Sequence, residues 1–139
     1  MDNHLLAQVG TYGVIINNKK ILLLELSKKP MWTFPGGRVN ETDLTLHDAL
    51  KREIYEELGL NCKIIRILDS TLFTNSQNIK KCCVIFECEL GEGEITISDE
   101  HIDYGYFDFE EIKSFFSEDK FEKVGFDIIQ SIKELKLIG

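Results

Sequence analysis

The feature that most constrains the fold is one helix-forming segment that carries an apolar stripe. Thr45 is a good N-cap with an acidic residue, Asp48, three positions later, and Gly59 follows as a C-terminal stop. These signals predict a helix over residues 46–58. Leu50, Ile54 and Leu58 recur at helical spacing, and this stripe must turn toward a core.

An acidic stripe lies beside the apolar one. Glu53, Glu56 and Glu57 are three and four residues apart, so their side chains project within a sector of about 100°. Three neighbouring carboxylates repel one another, and a divalent cation would relieve the repulsion. Mg²⁺ suits such a site because it takes oxygen ligands and keeps waters and phosphates in its shell, and Mn²⁺ is a possible substitute. The alternative is a solvated acidic face stabilised by Lys51 and Arg52.

The rest of the chain is rich in predicted strands. Runs of β-branched and aromatic residues predict strands at 9–17, 21–24, 32–34, 63–73, 80–90 and 104–107. A polar loop, expected to be mobile, lies between the fourth and fifth of these, at 74–78. Helical spacing near the end predicts a terminal helix through Phe121, Val124, Ile128, Ile132 and Leu135. With no repeat or linker, we expect one domain over residues 1–139, built from mixed α and β layers.

Composition narrows the class of partner. A net charge of −8 argues against a protein that grips a nucleic-acid polymer through spread positive charge. The four cysteines have neither paired spacing nor histidines at zinc-ligand intervals, so we expect reduced thiols packed in strands. No apolar run is long enough for a membrane helix and the first residues resemble no export signal, so we expect a cytoplasmic protein without membrane contact.

A longer motif surrounds the acidic stripe. Gly36-Gly37 forms a predicted bend, and residues 52–60 read Arg-Glu-Ile-Tyr-Glu-Glu-Leu-Gly-Leu. This pattern resembles the signature of the Nudix hydrolases. The resemblance implies an α/β (α+β) fold, an α/β/α sandwich with a mixed β-sheet between helices. It also implies Mg²⁺-dependent hydrolysis of a diphosphate linkage.

The loop before the helix departs from the family pattern by one residue. Five residues separate Gly37 from Asp43, and eight separate Asp43 from Arg52, where the pattern has seven. Asp43 is therefore a candidate for the acidic loop position, with Glu41 as its rival, whereas strict counting back from Arg52 selects Leu44. An acid just before a helix can also serve the helix dipole alone.

The resemblance and the residues together suggest roles at the site. We expect Glu53 and Glu57 to be the principal metal ligands, Glu56 a further or water-mediated ligand, and the carbonyl of Gly36 a main-chain ligand. Arg52 could be a phosphate ligand, but we expect it instead to brace one of the carboxylates through a bidentate ion pair. Glu100 is the candidate general base, and a simple turn acid is the alternative. His101 could assist Glu100, although a histidine at this place is more often an exposed loop residue.

Aromatic and basic side chains near the bend could bind a nucleotide. Trp32, Phe34 and Phe73 could stack against a base, although each could instead only pack in the core. Arg38, Lys80 and Lys81 are possible phosphate contacts.

Three functions remain open at this point. The first is hydrolysis of a nucleoside triphosphate or a modified deoxynucleoside triphosphate, a small-molecule substrate, by a monomer or homodimer. The second is hydrolysis of ADP-ribose, a nucleotide sugar or a dinucleoside polyphosphate. The third is a catalytically idle, nucleotide-binding regulatory domain, which would not need the complete acidic set.

Overall fold

A computed structural model describes residues 3–139 of the chain. Its helices and strands are, in chain order, β1 (Gln8–Asn17), β2 (Lys20–Leu26), β3 (Trp32–Thr33), β4 (Gly36–Arg38), α1 (Leu46–Leu58), β5 (Cys62–Thr74), β6 (Lys80–Leu90), β7 (His101–Phe107), α2 (Phe109–Ser117) and α3 (Lys123–Glu134).

The strands form one mixed sheet. Its main order is β3-β2-β1-β6-β5, with β4 paired to β1 and β7 paired to β2. Strands β1 and β6 run parallel, from Gln8 opposite Lys81 to Ile15 opposite Cys88, whereas the other pairs run antiparallel. The predicted mixed sheet is confirmed.

Helices cover both faces of this sheet, as predicted. On one face, Leu50, Ile54 and Leu58 of α1 are completely buried, in a cluster with Leu22 and Phe86 from the sheet. The opposite face carries a second cluster, in which buried residues of α2 and α3 pack against β1, β2 and β6. The acidic stripe of α1 therefore lies at the border of a buried layer.

Local signals located several elements correctly. Helix α1 has the predicted bounds, with the Thr45 hydroxyl accepting from the Asp48 N–H at 3.0 Å and Gly59 adopting a left-handed conformation. Strand β6 also has the predicted bounds, and β1, β2 and β5 extend one or two residues beyond them. The four cysteines lie in β5 and β6 as free thiols.

Four features of the fold differ from the prediction. Strand β4 was read only as a bend, and β7 begins three residues before its predicted start. Helix α2 was missed, although Asp108 and Glu111 form a capping box that the sequence displays. Helix α3 begins after Phe121 and ends before Leu135, and Leu135 is exposed because it caps the helix instead of facing the core.

Within residues 3–139, no helix combines the length and apolar character that a membrane span requires.

The first prediction concerns the apolar stripe of α1. Leu50→Ala should lower the free energy of unfolding by about 2–5 kcal/mol, because a completely buried side chain leaves a cavity. Leu44→Ala, at a residue that is 90% exposed, is the matched control and should change it by less than about 0.5 kcal/mol. Urea unfolding measures both, and equal losses in the two variants would contradict the packing described.

Candidate active site

Glu57 is a carboxylate that the fold takes into its interior. Its side chain is only 9% exposed, and its Oε1 accepts a hydrogen bond from the Gly36 N–H at 2.8 Å. Burial is the main cause that raises the pKa of Glu57, to about 8, and the nearby carboxylates of Glu53 and Glu100 raise it further. Removing this group from water is costly unless a cation or a proton neutralises it.

Two glycines allow β4 to approach this part of α1. Gly36 has φ +139°, and a Cβ there would lie 2.2 Å from the carbonyl oxygen of Thr11. At Gly37 a Cβ would lie 2.8–2.9 Å from the carboxylate atoms of Glu53. A side chain at position 36 would therefore collide with the backbone of β1, whereas one at position 37 would displace the carboxylate of Glu53.

Arg52 joins the loop before α1 to the acidic stripe. Its Nε and Nη2 donate to the two carboxylate oxygens of Asp43 at 3.1 and 2.9 Å, a bidentate pair. Its Nη1 donates to Glu53 Oε1 at 3.1 Å, and its Nη2 also reaches the carbonyl of Arg38 at 3.3 Å. Arg52 thus contacts Glu53 as expected, but its bidentate pair is with Asp43 in the loop and not with a carboxylate of the acidic stripe.

Asp43, and not Glu41 or Leu44, makes this contact. Its Oδ2 also accepts from the Asn40 N–H at 2.7 Å, and these hydrogen bonds, chiefly the one from Arg52, hold the pKa of Asp43 below its usual range. Glu41 and Leu44 are exposed. At Glu53, burial raises the pKa of the carboxyl, and the hydrogen bond from Arg52 opposes that effect.

The segment after β6 brings a further carboxylate to the site. Backbone N–H groups of Thr96 and Ser98 donate to the carbonyls of Leu58 and Glu57 at 2.9 and 3.2 Å, which fastens this segment to the end of α1. The next residues then lead into β7. As a result, Glu100 lines the same cleft as Glu53 and Glu57.

The prediction that His101 is an exposed loop residue was wrong. His101 begins β7 opposite Leu26, and this strand register turns its ring inward, so that the side chain is only 2% exposed. Its Nε2 lies 3.9 Å from Glu57 Oε2, and its Nδ1 lies 3.4 Å from Ser98 Oγ. Burial lowers the pKa of His101, which favours the neutral imidazole at neutral pH.

The expected convergence of all three helix carboxylates is also corrected. Within residues 3–139, no three His, Cys, Asp or Glu side chains form a set that could hold a metal ion by themselves. Glu56 is 57% exposed, and its Oε2 lies 3.4 Å from Arg52 Nη1. One helical step from Glu56 to Glu57 rotates about 100°, so Glu56 stands at the outer edge of the sector, where solvent and Arg52 attract it.

The cleft nevertheless has the chemistry of a Mg²⁺ site. It has a volume of about 370 Å³, and it is lined by Gly36, Gly37, Arg38, Asn40, Glu53, Glu56, Glu57, Ser98 and Glu100. Its carboxylates are oxygen donors that repel one another, and this repulsion adds to burial, the main cause, in raising the pKa of Glu57. An incomplete set of protein ligands suits Mg²⁺, which usually completes its shell with waters and substrate phosphates.

A second, apolar pocket lies against the other face of the sheet. It measures about 140 Å³, and Trp32, Phe34 and Phe73 all line it, together with Tyr12 and Glu122. Trp32 also stacks on Phe115 with ring centroids 5.3 Å apart, and Phe34 is 6% exposed. These two aromatic side chains therefore pack in the core and also present surface to the pocket.

The possible phosphate contacts are not all brought together. Arg38 is exposed and lines the acidic cleft. Lys80 and Lys81 do not line it, and Lys81 Nζ donates instead to Gln8 Oε1 at 2.7 Å.

Comparison with known proteins decides the family. The family model described as "NUDIX domain" matches residues 7–130, which include the bend, all of α1 and Glu100. The chain belongs to the Nudix family.

Known relatives agree with this membership. The RNA pyrophosphohydrolase of Hamiltonella defensa is 43% identical over 61 residues, which are 42% of this chain and 37% of that protein. The aligned part thus spans well under half of that curated relative. A MutT protein from Methanosarcina mazei has a TM-score of 0.80 at 24% identity, with 94% of this chain and 95% of that chain covered. An Ap4A hydrolase from C. elegans has a TM-score of 0.75 at 18% identity, with 93% and 97% covered.

The second prediction follows from the raised pKa of Glu57. The usual carboxyl value is 4.5 and the folded value is about 8, so the folded state holds this proton more tightly than the unfolded state. The resulting stability is complete below pH 4.5 and is lost as the pH rises toward 8. Urea unfolding in the presence of a chelator should show this loss in the Nudix protein.

Glu57→Gln provides the control, because the amide stays neutral and can still accept from the Gly36 N–H. The stability of this variant should depend less steeply on pH between 4.5 and 8. Parallel stability curves for the two proteins would contradict the assignment of the proton to Glu57.

Proposed function

We propose that this protein hydrolyses a diphosphate linkage in a nucleoside triphosphate or modified deoxynucleoside triphosphate and that the reaction depends on Mg²⁺. One observation carries the proposal: Glu53, Glu57 and Glu100 line a single cleft against the glycines of β4. A catalytically idle domain would gain nothing from burying Glu57 at this border, where its charge is unfavourable. Family membership supports the same reaction class.

The residues of the cleft have different roles in this proposal. Glu53 and Glu57 are the principal metal ligands, with Glu56 as a ligand through water and the Gly36 carbonyl as a main-chain ligand. When bound, Mg²⁺ neutralises charge on the phosphate oxygens and so favours attack by water at phosphorus. Arg52 keeps Glu53 in place, because its Nη1 donates to Glu53 Oε1 at 3.1 Å while Asp43 holds the rest of the guanidinium.

Glu100 is the proposed general base. It lies in the cleft with the metal-binding carboxylates, and it is exposed, so a water molecule can reach its oxygens. A carboxylate in this position can accept the proton of the attacking water as the bond to phosphorus forms. The backbone on both sides is held, since the Glu100 carbonyl accepts from the Ser27 N–H at 2.9 Å and the His101 N–H donates to Ser98.

The apolar pocket is the proposed site for the base of the nucleotide. At about 140 Å³ it suits one part of a ligand better than a whole nucleotide, and its walls include Trp32, Phe34 and Phe73. Tyr12 lines this pocket, and its hydroxyl has a raised pKa chiefly because it is buried, with smaller contributions from the carboxylates of Glu57 and Glu53. Tyr12 thus lies near both regions, with Arg38 on the cleft side as a phosphate contact.

A second candidate substrate is the 5′ end of an RNA chain, because the curated relative is named an RNA pyrophosphohydrolase. The net charge of −8 favours the small nucleotide, since a polymer is usually held through Lys and Arg. Dinucleoside polyphosphates and ADP-ribose are the remaining candidates. These substrates share the linkage and differ in what is attached to it.

The third prediction is the outcome of a substrate panel. The protein is incubated with Mg²⁺ and with ribonucleoside and deoxyribonucleoside triphosphates, an oxidised deoxynucleoside triphosphate, ADP-ribose, a dinucleoside tetraphosphate and a 5′-triphosphorylated RNA. Products are separated by anion-exchange chromatography. We expect the highest kcat/KM with a nucleoside triphosphate, and a preference for RNA would overturn that choice of substrate.

The same panel tests the site. Glu57→Gln should remove nearly all Mg²⁺-dependent turnover while the protein remains folded, since its shape and its contact with Gly36 are kept. Turnover of Glu57→Gln at the wild-type rate would rule out the metal site. No product from the wild-type protein across the panel would favour the regulatory domain.

The fourth prediction concerns Glu100. Glu100→Gln should lower kcat by about 10²–10⁴-fold, the usual contribution of a general base. Asp99→Asn is the matched control, because Asp99 is the exposed neighbour that does not line the cleft. A loss of less than about tenfold in Glu100→Gln, or an equal loss in both variants, would assign the proton transfer to another group.

A further inference from the structure

The second oxygen of Glu57 has a neighbour that neither the sequence pattern nor the roles above explain. Oε1 of this carboxylate meets the Gly36 N–H, whereas Oε2 faces the imidazole of His101, with Nε2 3.9 Å away. Both side chains are nearly closed to water, at 9% and 2% exposure. An imidazole is an expensive group to bury for packing alone, because its polar atoms lose their hydration.

The His101 ring is held in place by the same segment that fastens α1. The Ser98 N–H donates to the carbonyl of Glu57, and the His101 N–H donates to the carbonyl of Ser98 at 3.1 Å. The Ser98 hydroxyl then lies 3.4 Å from His101 Nδ1. If that hydroxyl donates to Nδ1, the proton of the neutral ring is on Nε2, directed at Glu57.

We propose that His101 is a positioning residue for Glu57, which it keeps oriented toward the cation of the cleft. The distance of 3.9 Å between His101 Nε2 and Glu57 Oε2 is too long for a hydrogen bond, so the ring acts through its bulk and through its dipole. Its bulk restricts rotation of the Glu57 side chain, and its dipole directs positive charge at Oε2. Groups behind a metal ligand commonly control its orientation in this way.

This inference rests on the proposed function, because it assumes that Glu57 binds a cation. Its test therefore measures metal binding separately from turnover. Mn²⁺ is titrated into the substrate-free protein, and free Mn²⁺ is followed by electron paramagnetic resonance. In parallel, kcat and KM are measured as a function of Mg²⁺ concentration.

Three variants separate positioning from packing. His101→Leu fills the space but has no dipole, and it should weaken Mn²⁺ binding and raise the half-saturating Mg²⁺ concentration by about 10–100-fold. His101→Gln restores a donor and should stay within about threefold of wild type. His47→Leu is the control, since His47 is an exposed histidine on α1 and lies outside the cleft.

Each result decides the matter. Wild-type Mn²⁺ affinity in a folded His101→Leu protein overturns the inference and leaves the proposed function intact. Equal losses in the Leu and Gln variants show a packing role and also overturn it.

If His101→Leu does not fold, Ser98→Ala takes its place, with an expected loss of several-fold in Mn²⁺ affinity. An unchanged affinity in Ser98→Ala counts against the inference. A wild-type protein that neither binds Mn²⁺ nor turns over any substrate refutes both proposals together.

Discussion

The buried carboxylate of Glu57 is the interaction on which the site depends. Helix α1 must press Leu50, Ile54 and Leu58 into the sheet, and this same rotation carries Glu57 inward beside them. The hydrogen bond from Gly36 offsets part of the lost hydration but leaves the pKa raised to about 8. The hydrophobic effect that orients the helix therefore also buries a carboxylate whose charge is more favourable when a cation neutralises it than when it stands alone.

Two adjacent glycines, Gly36 and Gly37, leave space for a cleft beside the buried carboxylate. Because Gly36 and Gly37 have no Cβ, β4 approaches both Tyr12 on one side and Glu53 on the other. The strand is short, and its neighbours on β1 hold it in register from Gly10 to Tyr12. The wall opposite the carboxylates is thus backbone, which offers N–H and carbonyl groups to a ligand without the bulk of side chains.

The parts of the structure that sequence predicted are those with local causes. The bounds of α1 follow from Thr45 and Gly59, which act within one turn of the helix ends, and the apolar stripe follows from helical periodicity. Helix α2 has an equally local signal, because Asp108 and Glu111 form a capping box at its start. This helix is therefore within reach of sequence-based prediction.

The burial of His101 had no local cause. Its inward rotation comes from pairing with Leu26, 75 positions earlier in the numbering, and from the segment around Ser98 that binds the end of α1. The polar neighbours of His101, Asp99 and Glu100, are typical of an exposed loop. Only the register of β2 with β7 shows that the His101 side chain is buried. Contacts between distant segments, which periodicity does not encode, therefore determine that Glu100 lines the cleft and that His101 is buried.

The loop before α1 shows how the site tolerates a change of length. This loop is one residue longer than the family pattern, yet Asp43 still meets the fork of Arg52 with both oxygens. A tight turn absorbs the difference, since the Asn40 N–H donates to Asp43 Oδ2 and the Asp43 N–H donates to the Asn40 carbonyl at 3.0 Å. Because Arg52 and Glu53 are neighbours on α1, their backbone positions do not depend on the loop, and the loop contributes only the carboxylate of Asp43 that holds the guanidinium. The positions of Glu53 and Glu57 are therefore set by α1 and β4, and the loop needs only to bring one carboxylate to the arginine.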